Sequence, residues 1–253
     1  MNSAEPVKEE FREVLALTDK IDAAGRAAGF RIERYGEIGG CPLIALTKRT
    51  PGRRPRIYLS AGIHGDEPAG PAALLEMITG GLFDQRATWF LCPLLNPQGR
   101  GRGTRENAGG LDLNRDYRNL RAPETQAHIA WLRRQPNFDL TLALHEDWEA
   151  KGFYLYEQNP NQRPSLAVPI IEAVQKDCPI DLSSTIDERE AKGGIIRPVG
   201  DPFERELWPE SIYLRVNHTT LAYTLETPSA LPLEQRVKAL RTAAATAIGG
   251  LLY

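Results

Sequence analysis

Residues 56–67 read RIYLSAGIHGDE, an apolar run that ends in a polar motif. A continuous apolar run of this kind predicts a buried strand over 56–63. The residues that follow predict a helix over 67–79, which opens with a proline where a missing N–H costs least. His64 would then leave the end of the strand, and Glu67 would enter the first helical turn. The two side chains would converge on one point, where they could bind one metal ion.

Apolar and periodic segments alternate along the rest of the chain. Further strands are predicted at 31–36, 42–47, 88–95, 138–144, 153–156 and 221–225. Helices are predicted at 6–28, 123–134, 164–176 and 232–252, whereas 181–211 is irregular. Buried strands that alternate with helices indicate an α/β fold, with functional side chains at the carboxyl ends of the strands. We expect a single domain over residues 1–253, with a mixed, mostly parallel twisted sheet flanked by helices.

The composition argues against several classes of protein. A hydrophobic content of 42%, a charged content of 25% and a formal net charge of −2 are those of an ordinary globular protein. A charge so close to zero argues against nucleic acid or an anionic membrane as the main partner. No apolar run is long enough to span a membrane, and residues 1–20 do not resemble a signal peptide. These features predict a cytoplasmic location, with Cys41, Cys92 and Cys178 reduced.

A third candidate ligand is His145, which directly follows a predicted strand. Taken alone, such a histidine is more often a surface residue, and an H-x-x-E pair often arises by chance. Because His64 and Glu67 end another buried strand, we interpret His145 as a ligand of the same ion. Two histidines, one glutamate and an open fourth position form a zinc site of the hydrolytic type.

The segment between these ligands carries three short motifs, and a fourth lies near the carboxyl end. They are N-P-Q-G at 96–99, T-R-E-N at 104–107, D-L-N-R at 112–115 and E-T-P at 226–228. The loop that holds the first three is too long to be a simple connection, which indicates a functional role. Their order resembles that of the zinc carboxypeptidase family, including its short murein-peptide amidase branch and the related succinylglutamate desuccinylase and aspartoacylase enzymes. The resemblance covers roughly residues 56–228.

The resemblance implies a role for each matching residue around one Zn²⁺ ion per chain. His64, Glu67 and His145 match the zinc ligands. Asp112 matches a carboxylate that orients the first ligand histidine, which fixes the tautomer of that ring. Glu226 matches the general base that takes a proton from water and passes it to the leaving amine. The alternative for Glu226 is a structural role before a turn at Pro228.

Other matching residues would contact the substrate. Arg105 matches the arginine that stabilises negative charge on the scissile carbonyl oxygen. Asn114 and Arg115 match the pair that binds the terminal carboxylate of the substrate, and a guanidinium suits that bidentate contact. The alternative is that these arginines form a solvated loop surface. The family often closes a tyrosine over the substrate, and Tyr213 is the nearest candidate by chain order.

Other polar residues have two open interpretations. The irregular segment 181–211 is where substrate selectivity is expected, through charged side chains that could equally be solvated: Lys192, Arg197, Asp201 and Arg205. Asp147 and Trp148 follow His145 closely and are candidates for lining the site. We interpret His128 and His218 as structural residues rather than as ligands.

The leading functional hypothesis is a zinc metallocarboxypeptidase that hydrolyses the C-terminal amide bond of a short peptide, with a murein-derived peptide favoured by family analogy. The first alternative is a zinc-dependent N-acyl amino-acid deacylase, whose relatives usually carry an additional β-rich domain. Only 27 residues follow Glu226 here, and they are predicted to form one helix, which favours the peptidase. The second alternative is a non-catalytic module that binds carboxylates. In each case the expected partner is a small peptide or acyl amino acid with a free carboxylate, and the oligomeric state stays open.

Overall fold

The computed structural model describes residues 11–252 of the chain, in which strands alternate with helices. The strands are β1 (Arg31–Ile38), β2 (Cys41–Lys48), β3 (Arg56–Ala61), β4 (Thr88–Cys92), β5 (Leu140–Asp147), β6 (Tyr154–Gln158), β7 (Thr185–Ile186), β8 (Arg189–Lys192), β9 (Ile195–Ile196) and β10 (Ala222–Pro228). The helices are α1 (Arg12–Ala27), α2 (Ala69–Thr79), α3 (Pro97–Arg102), α4 (Pro123–Leu132), α5 (Ala167–Val174), α6 (Glu210–Asn217) and α7 (Leu233–Leu252).

The strands form one ten-stranded sheet in the order β1-β2-β4-β3-β5-β10-β6-β9-β8-β7. The four central strands, β4, β3, β5 and β10, are parallel to one another. Antiparallel pairing dominates towards both edges, where only the β6–β9 pair is parallel. The predicted mixed α/β sheet flanked by helices is therefore confirmed, but the sheet is mostly parallel only at its centre. Its parallel centre brings the carboxyl ends of β3, β5 and β10 side by side.

The predicted elements agree with the structure in their order and differ mainly at their ends. The helix predicted over 6–28 is observed as α1, and residues 6–10 lie outside the described part of the chain. Strands β5 and β10 each continue beyond their predicted ends, so that His145 and Glu226 lie within strands rather than after them. The long loop over 96–116 contains α3 and a 3₁₀ turn at Leu113–Arg115. Helix α6 and the short strands β7, β8 and β9, which lie in the segment predicted to be irregular, have no counterpart among the predicted elements.

Apolar side chains cover both faces of the sheet. On β5, Leu140, Leu142 and Leu144 pack into the larger core, which α2, α5 and α7 cover. The alternate residues of the strand, including His145, face the opposite side, because successive side chains of a strand point to opposite faces. A second core on that side holds Tyr58 of β3 and Ile212 of α6. The face of the sheet that carries His145 is thus the one that α4 and α6 cover only in part.

A buried hydrogen-bond chain joins α6 to the centre of the sheet. Both carboxylate oxygens of Glu210 accept hydrogen bonds from β3, one from the Tyr58 hydroxyl and one from the Ser60 hydroxyl, each at 2.7 Å. Since the Tyr58 proton goes to Glu210, His128 Nε2 must donate to the Tyr58 oxygen, at 3.0 Å. His128 Nδ1 then accepts from the Tyr117 hydroxyl at 2.6 Å. Burial lowers the pKa of His128 to about 3, so the ring is neutral and structural, as we expected.

No helix among residues 11–252 is long and apolar enough to cross a lipid bilayer.

The three cysteines are all buried as free thiols. Burial raises the pKa of each thiol above its ordinary value. The predicted reduced state therefore agrees with the structure.

We predict that Glu210→Ala lowers the free energy of unfolding by about 2–4 kcal/mol, because it leaves two buried hydroxyl groups without an acceptor. Urea denaturation followed by circular dichroism measures the change. Glu234→Ala serves as the control, since Glu234 is exposed in the first turn of α7 and should change stability by less than about 1 kcal/mol. Equal stabilities for the two variants would contradict the structural role of Glu210.

Candidate metal centre

A tight turn after β3 carries His64 and Glu67 into one buried cluster. The backbone N–H of Glu67 donates to the His64 carbonyl at 3.4 Å, and α2 begins two residues later, at Ala69. Between them, Gly65 packs against the backbone of α3, where an added Cβ would lie 1.9 Å from the carbonyl carbon of Gly99. Only glycine fits at this position, which explains the glycine of the HGDE motif.

Three ligand-type side chains meet at the carboxyl end of the parallel strands. The donor atoms of His64, Glu67 and His145 all lie within 4.8 Å of one another, and all three residues are buried. His64 Nδ1 lies 2.5 Å from one Glu67 carboxylate oxygen. His145 Nδ1 lies 3.1 Å from the other. The structure therefore brings together the three ligands that the sequence predicted.

The arrangement of donor atoms fits a bound cation. His64 Nε2 faces Asp112 at 3.3 Å, so that nitrogen carries the ring proton in the neutral tautomer and Nδ1 presents a lone pair to the cluster. A lone pair that faces a buried carboxylate is repulsive unless a proton or a metal ion lies between them. The second Glu67 oxygen, Oε2, has no hydrogen-bond partner. Two imidazoles and one carboxylate are the donor set that zinc accepts.

Electrostatic interactions within the cluster shift the pKa values of its members. Despite burial, the charges of His145 and His64 lower the pKa of Glu67 to about 2. The Glu67 carboxylate in turn raises the pKa of His64 and of His145, against the effect of their burial. The cluster therefore binds protons tightly in the same place where it could bind a metal ion.

Asp112 links three parts of the site. One of its oxygens faces His64 Nε2 and also accepts the backbone N–H of Asn114 at 2.8 Å. The other accepts from Arg105 Nε at 3.1 Å. Although burial acts against it, the hydrogen bond and charge of His64, together with Arg105, hold the pKa of Asp112 well below its usual range. An ionised Asp112 can thus orient His64 and hold Arg105 beside the cluster.

The N-P-Q-G motif supports the position of Arg105. The Asn96 side chain caps α3 by accepting the N–H of Gly99 at 2.8 Å, and its amide donates to the Arg105 carbonyl at 3.3 Å. Arg105 Nη1 then lies 3.9 Å from a Glu67 oxygen. The first two loop motifs therefore act together. The N-P-Q-G motif caps the short helix α3 and fixes the backbone of Arg105, which belongs to the T-R-E-N motif.

The D-L-N-R turn presents Asn114 and Arg115 to the pocket beside the cluster. The Asn114 side-chain oxygen accepts the backbone N–H of Glu210 at 2.9 Å. The amide NH₂ group of Asn114 is therefore left to donate. Arg115 Nη1 donates to the Asn114 carbonyl at 2.9 Å, which draws the guanidinium towards the same turn. Two donor groups on one turn can bind a carboxylate.

Glu226 lies next to His145, because the two residues are register partners on the parallel strands β10 and β5. Its carboxyl group is buried in the pocket floor. Burial raises the pKa of Glu226 to about 8, with a further upward contribution from the charges of Glu67, Asp147 and Asp187 that His145 opposes. A carboxyl group with a pKa near neutrality can accept and release a proton during a reaction.

The pocket over this floor has a volume of about 530 Å³. Asp147 and Trp148 line it, as do two residues of the irregular segment, Asp201 and Arg205. Of the other two charged residues considered there, Arg197 forms an ion pair with Glu157 at 2.7 Å. Lys192 is not among the residues that line the pocket.

A group of three arginines, Arg115, Arg189 and Arg205, lines the pocket. Within residues 11–252, no ion pair joins any of them to a carboxylate. Burial, together with the charges of Arg189 and Arg115, lowers the pKa of Arg205. Three neighbouring cations that form no ion pair with a carboxylate make this part of the pocket suitable for an anionic group of a ligand.

The position of Tyr213 differs from the predicted one. Tyr213 is buried on α6, with its ring 5.9 Å from that of Tyr117 and 5.8 Å from that of His218. It is absent from the pocket lining, so the structure does not bring it to the site. The tyrosines of the pocket are Tyr154 and Tyr156 on β6, whose hydroxyl groups donate to Asp147 and Asp187 respectively.

The sequence offered only a weak signal for these tyrosines. The Y-L-Y pattern places two aromatic rings on one face of a predicted strand, but the pattern does not reveal the neighbouring strand. Arg189 is likewise presented by the short β7–β8 hairpin, which has no recognisable motif. Pairing of β6 with β10 placed the tyrosines, and pairing of β8 with β9 and of β9 with β6 placed Arg189.

The comparisons with known proteins agree with this site. The family model described as the succinylglutamate desuccinylase/aspartoacylase catalytic domain matches residues 53–192, more than half of the chain. Carboxypeptidase SOL1 of Arabidopsis thaliana is 32% identical over an alignment of 145 residues that covers 46% of this chain and 29% of that protein. The chain therefore spans less than a third of the length of this curated relative.

Two solved structures from Shewanella species resemble this one closely. A protein of Shewanella amazonensis, provisionally classed as a metallopeptidase, superposes with a TM-score of 0.82 at 25% identity and covers 96% of this chain and 94% of its own. A similarly classed protein of Shewanella denitrificans gives a TM-score of 0.83 at 25% identity, with 99% and 98% covered. These likenesses support the predicted zinc-hydrolase class and extend over nearly the whole chain.

We predict that zinc affinity falls steeply as the pH decreases. Glu67 raises the pKa of both His64 and His145, and zinc must displace the protons of both rings. The apparent affinity should drop by up to about 100-fold per pH unit once both rings titrate. Competition with a chelator at pH 8, 7 and 6 measures the dependence, and circular dichroism checks folding at each pH. An affinity that is constant over this range would contradict the assigned ligands.

Proposed function

Because this chain belongs to the succinylglutamate desuccinylase/aspartoacylase catalytic domain family, we propose that it is a zinc-dependent hydrolase that removes the C-terminal residue of a short peptide. The observation that carries the proposal is the buried cluster of His64, Glu67 and His145 with Glu226 beside it on the pocket floor. A metal site next to a buried carboxyl group at the base of an open pocket is an arrangement that suits hydrolysis.

Substrate binding would begin at the D-L-N-R turn. The Asn114 amide is held by Glu210 with its NH₂ group free to donate, and the adjacent Arg115 supplies a guanidinium. These groups would bind the terminal carboxylate of a peptide through charge-assisted hydrogen bonds. A fixed carboxylate positions the neighbouring amide bond over the cluster, which lowers the entropic cost of the reaction.

His64, Glu67 and His145 would hold a zinc ion, which when bound supplies Lewis-acid activation of water and of the scissile carbonyl group. Arg105 lies beside the cluster, held by Asp112, where its charge would stabilise negative charge that develops on the carbonyl oxygen. Asp112 would keep His64 in the tautomer that leaves Nδ1 free for the ion. Each of these groups is positioned before substrate binds.

Glu226 would carry the proton of the reaction. As water forms a bond to the carbonyl carbon, Glu226 accepts a water proton. As the carbon–nitrogen bond breaks, it gives that proton to the leaving nitrogen, so the products are a carboxylic acid and an amine. Its raised pKa suits both steps, and a nearby divalent cation would lower that pKa and favour the ionised form that accepts the proton.

The second candidate is a deacylase that acts on an acidic N-acyl amino acid. The observation in its favour is the unpaired group of Arg115, Arg189 and Arg205, which could bind two carboxylates of one small substrate. The volume of about 530 Å³ favours the peptide, because pockets of this size enclose ligands considerably larger than an acylated amino acid.

Metal analysis and a panel of three substrates test the proposal. The panel contains a peptide with a free C-terminus, a γ-D-glutamyl-diaminopimelate peptide and an acidic N-acyl amino acid. We expect one zinc ion per chain, cleavage of at least one peptide, and loss of activity on chelation. Arg115→Ala should raise KM for substrates with a free carboxylate and leave amidated ones unaffected. Cleavage of the acyl amino acid alone would favour the deacylase, and a protein without zinc would refute both.

We predict that Glu226→Gln binds zinc like the wild type but loses at least about 100-fold in kcat, since it removes the proton acceptor and no ligand.

Because burial raises the pKa of Glu226 to about 8, ionisation destabilises the metal-free wild type as the pH rises from about 4.5 towards 8. The glutamine variant should not show this loss. Turnover assays, zinc titration and denaturation at pH 5 and pH 8 measure these effects. Wild-type turnover in the variant would rule out Glu226 as the base.

A further inference from the structure

Glu146 is a buried carboxylate directly after the candidate ligand His145. Its side chain is fully shielded from solvent. Because side chains alternate along β5, Glu146 points away from the pocket and towards the helices on the other face of the sheet. None of the reaction steps above involves it, although the residue itself is among those that line the pocket.

One oxygen of Glu146 accepts the backbone N–H of Ala69 at 2.5 Å. This N–H belongs to the first residue of α2, two positions after the candidate ligand Glu67, and it has no acceptor within the helix. A carboxylate at this position also interacts favourably with the positive end of the helix dipole. Glu146 thereby connects the strand that carries one ligand to the helix start that follows another.

The packing of α2 against β5 is equally close at this point. A Cβ atom added to Gly70 would lie 3.0 Å from the Leu144 carbonyl oxygen and 3.1 Å from the Ala61 Cβ. The glycine therefore lets the start of the helix approach the strand ends that precede both ligand segments. The hydrogen bond from Ala69 to Glu146 fixes the helix start at this short distance.

The other oxygen of Glu146 forms an ion pair with Arg236 on α7. The Arg236 side chain is only 13% exposed, so both charges have been removed from water at a considerable desolvation cost. A pair of apolar side chains could fill the same space without that cost. The retention of two buried charges here points to a requirement for directional hydrogen bonding.

We propose that Glu146 and Arg236 form a positioning pair for the metal centre, which holds the start of α2, and with it Glu67, at a fixed distance from His145. Within residues 11–252, the side-chain hydrogen bonds of the pair go to the Ala69 backbone and to each other, and not to the three candidate ligands. The pair acts through the backbone on both sides of the centre. This inference rests on the proposed zinc binding, and it does not depend on which substrate is cleaved.

The test measures the zinc dissociation constant of the full chain by chelator competition and the visible spectrum of the cobalt(II)-substituted protein. Glu146→Gln keeps the shape of the side chain but removes its charge. This weakens both the hydrogen bond from the Ala69 N–H and the interaction with Arg236. If the single variant is unstable, the double variant Glu146→Gln/Arg236→Met takes its place. It removes both charges, so that neither is left buried without its partner. We expect zinc dissociation constants about 10–100-fold higher and a shifted cobalt spectrum, with an unchanged far-ultraviolet circular dichroism spectrum.

Glu76→Gln is the matched control, because the exposed Glu76–Arg241 ion pair also joins α2 to α7. That pair lies towards the other end of α2, so its loss should change neither zinc affinity nor the cobalt spectrum. Folded Glu146 variants with wild-type zinc affinity and spectrum would refute the positioning role and leave the proposed function intact. A wild-type chain that binds no zinc would refute both.

Discussion

The buried carboxylate of Glu67 lies between two imidazole rings, and most features of this site depend on that contact. The carboxylate approaches His64 and His145 on opposite oxygens. Without a cation or bound protons, the group would place several lone pairs together in a region shielded from water. The surrounding residues are arranged so that this unfavourable cluster keeps one geometry. The same unfavourable contact is what makes the cluster able to bind a metal ion.

The fold supplies this geometry through the parallel centre of the sheet. Strands β3, β5 and β10 end at the same edge, which brings three distant segments of the chain together. The close backbone approach at Gly65 leaves no room for a side chain, the approach at Gly70 leaves little, and both keep the loop and the helix start against the strands. Rigid strand ends thereby carry groups that a flexible loop could not hold at fixed distances.

Two polar systems on opposite faces of the sheet support the centre. On the pocket side, Asp112 orients His64 and Arg105, and Glu210 holds the Asn114 amide. On the helix side, Glu146 accepts from the start of α2. Each system uses a carboxylate with both oxygens engaged, the half-buried Asp112 in one and the buried Glu146 in the other. This arrangement links the candidate ligands, the D-L-N-R turn and the covering helices into one unit.

The sequence by itself determined the order of the longer strands and most helices, the three candidate ligand positions and the loop motifs, because each follows from a local pattern of apolar runs and short polar spacings. It could not assign Tyr213, since a tyrosine near the right place in the chain can point into the core. Only the tertiary structure placed Tyr154, Arg189 and Glu146 around the centre. Their positions follow from strand pairing and helix packing between segments distant in sequence, and no local pattern encodes those contacts.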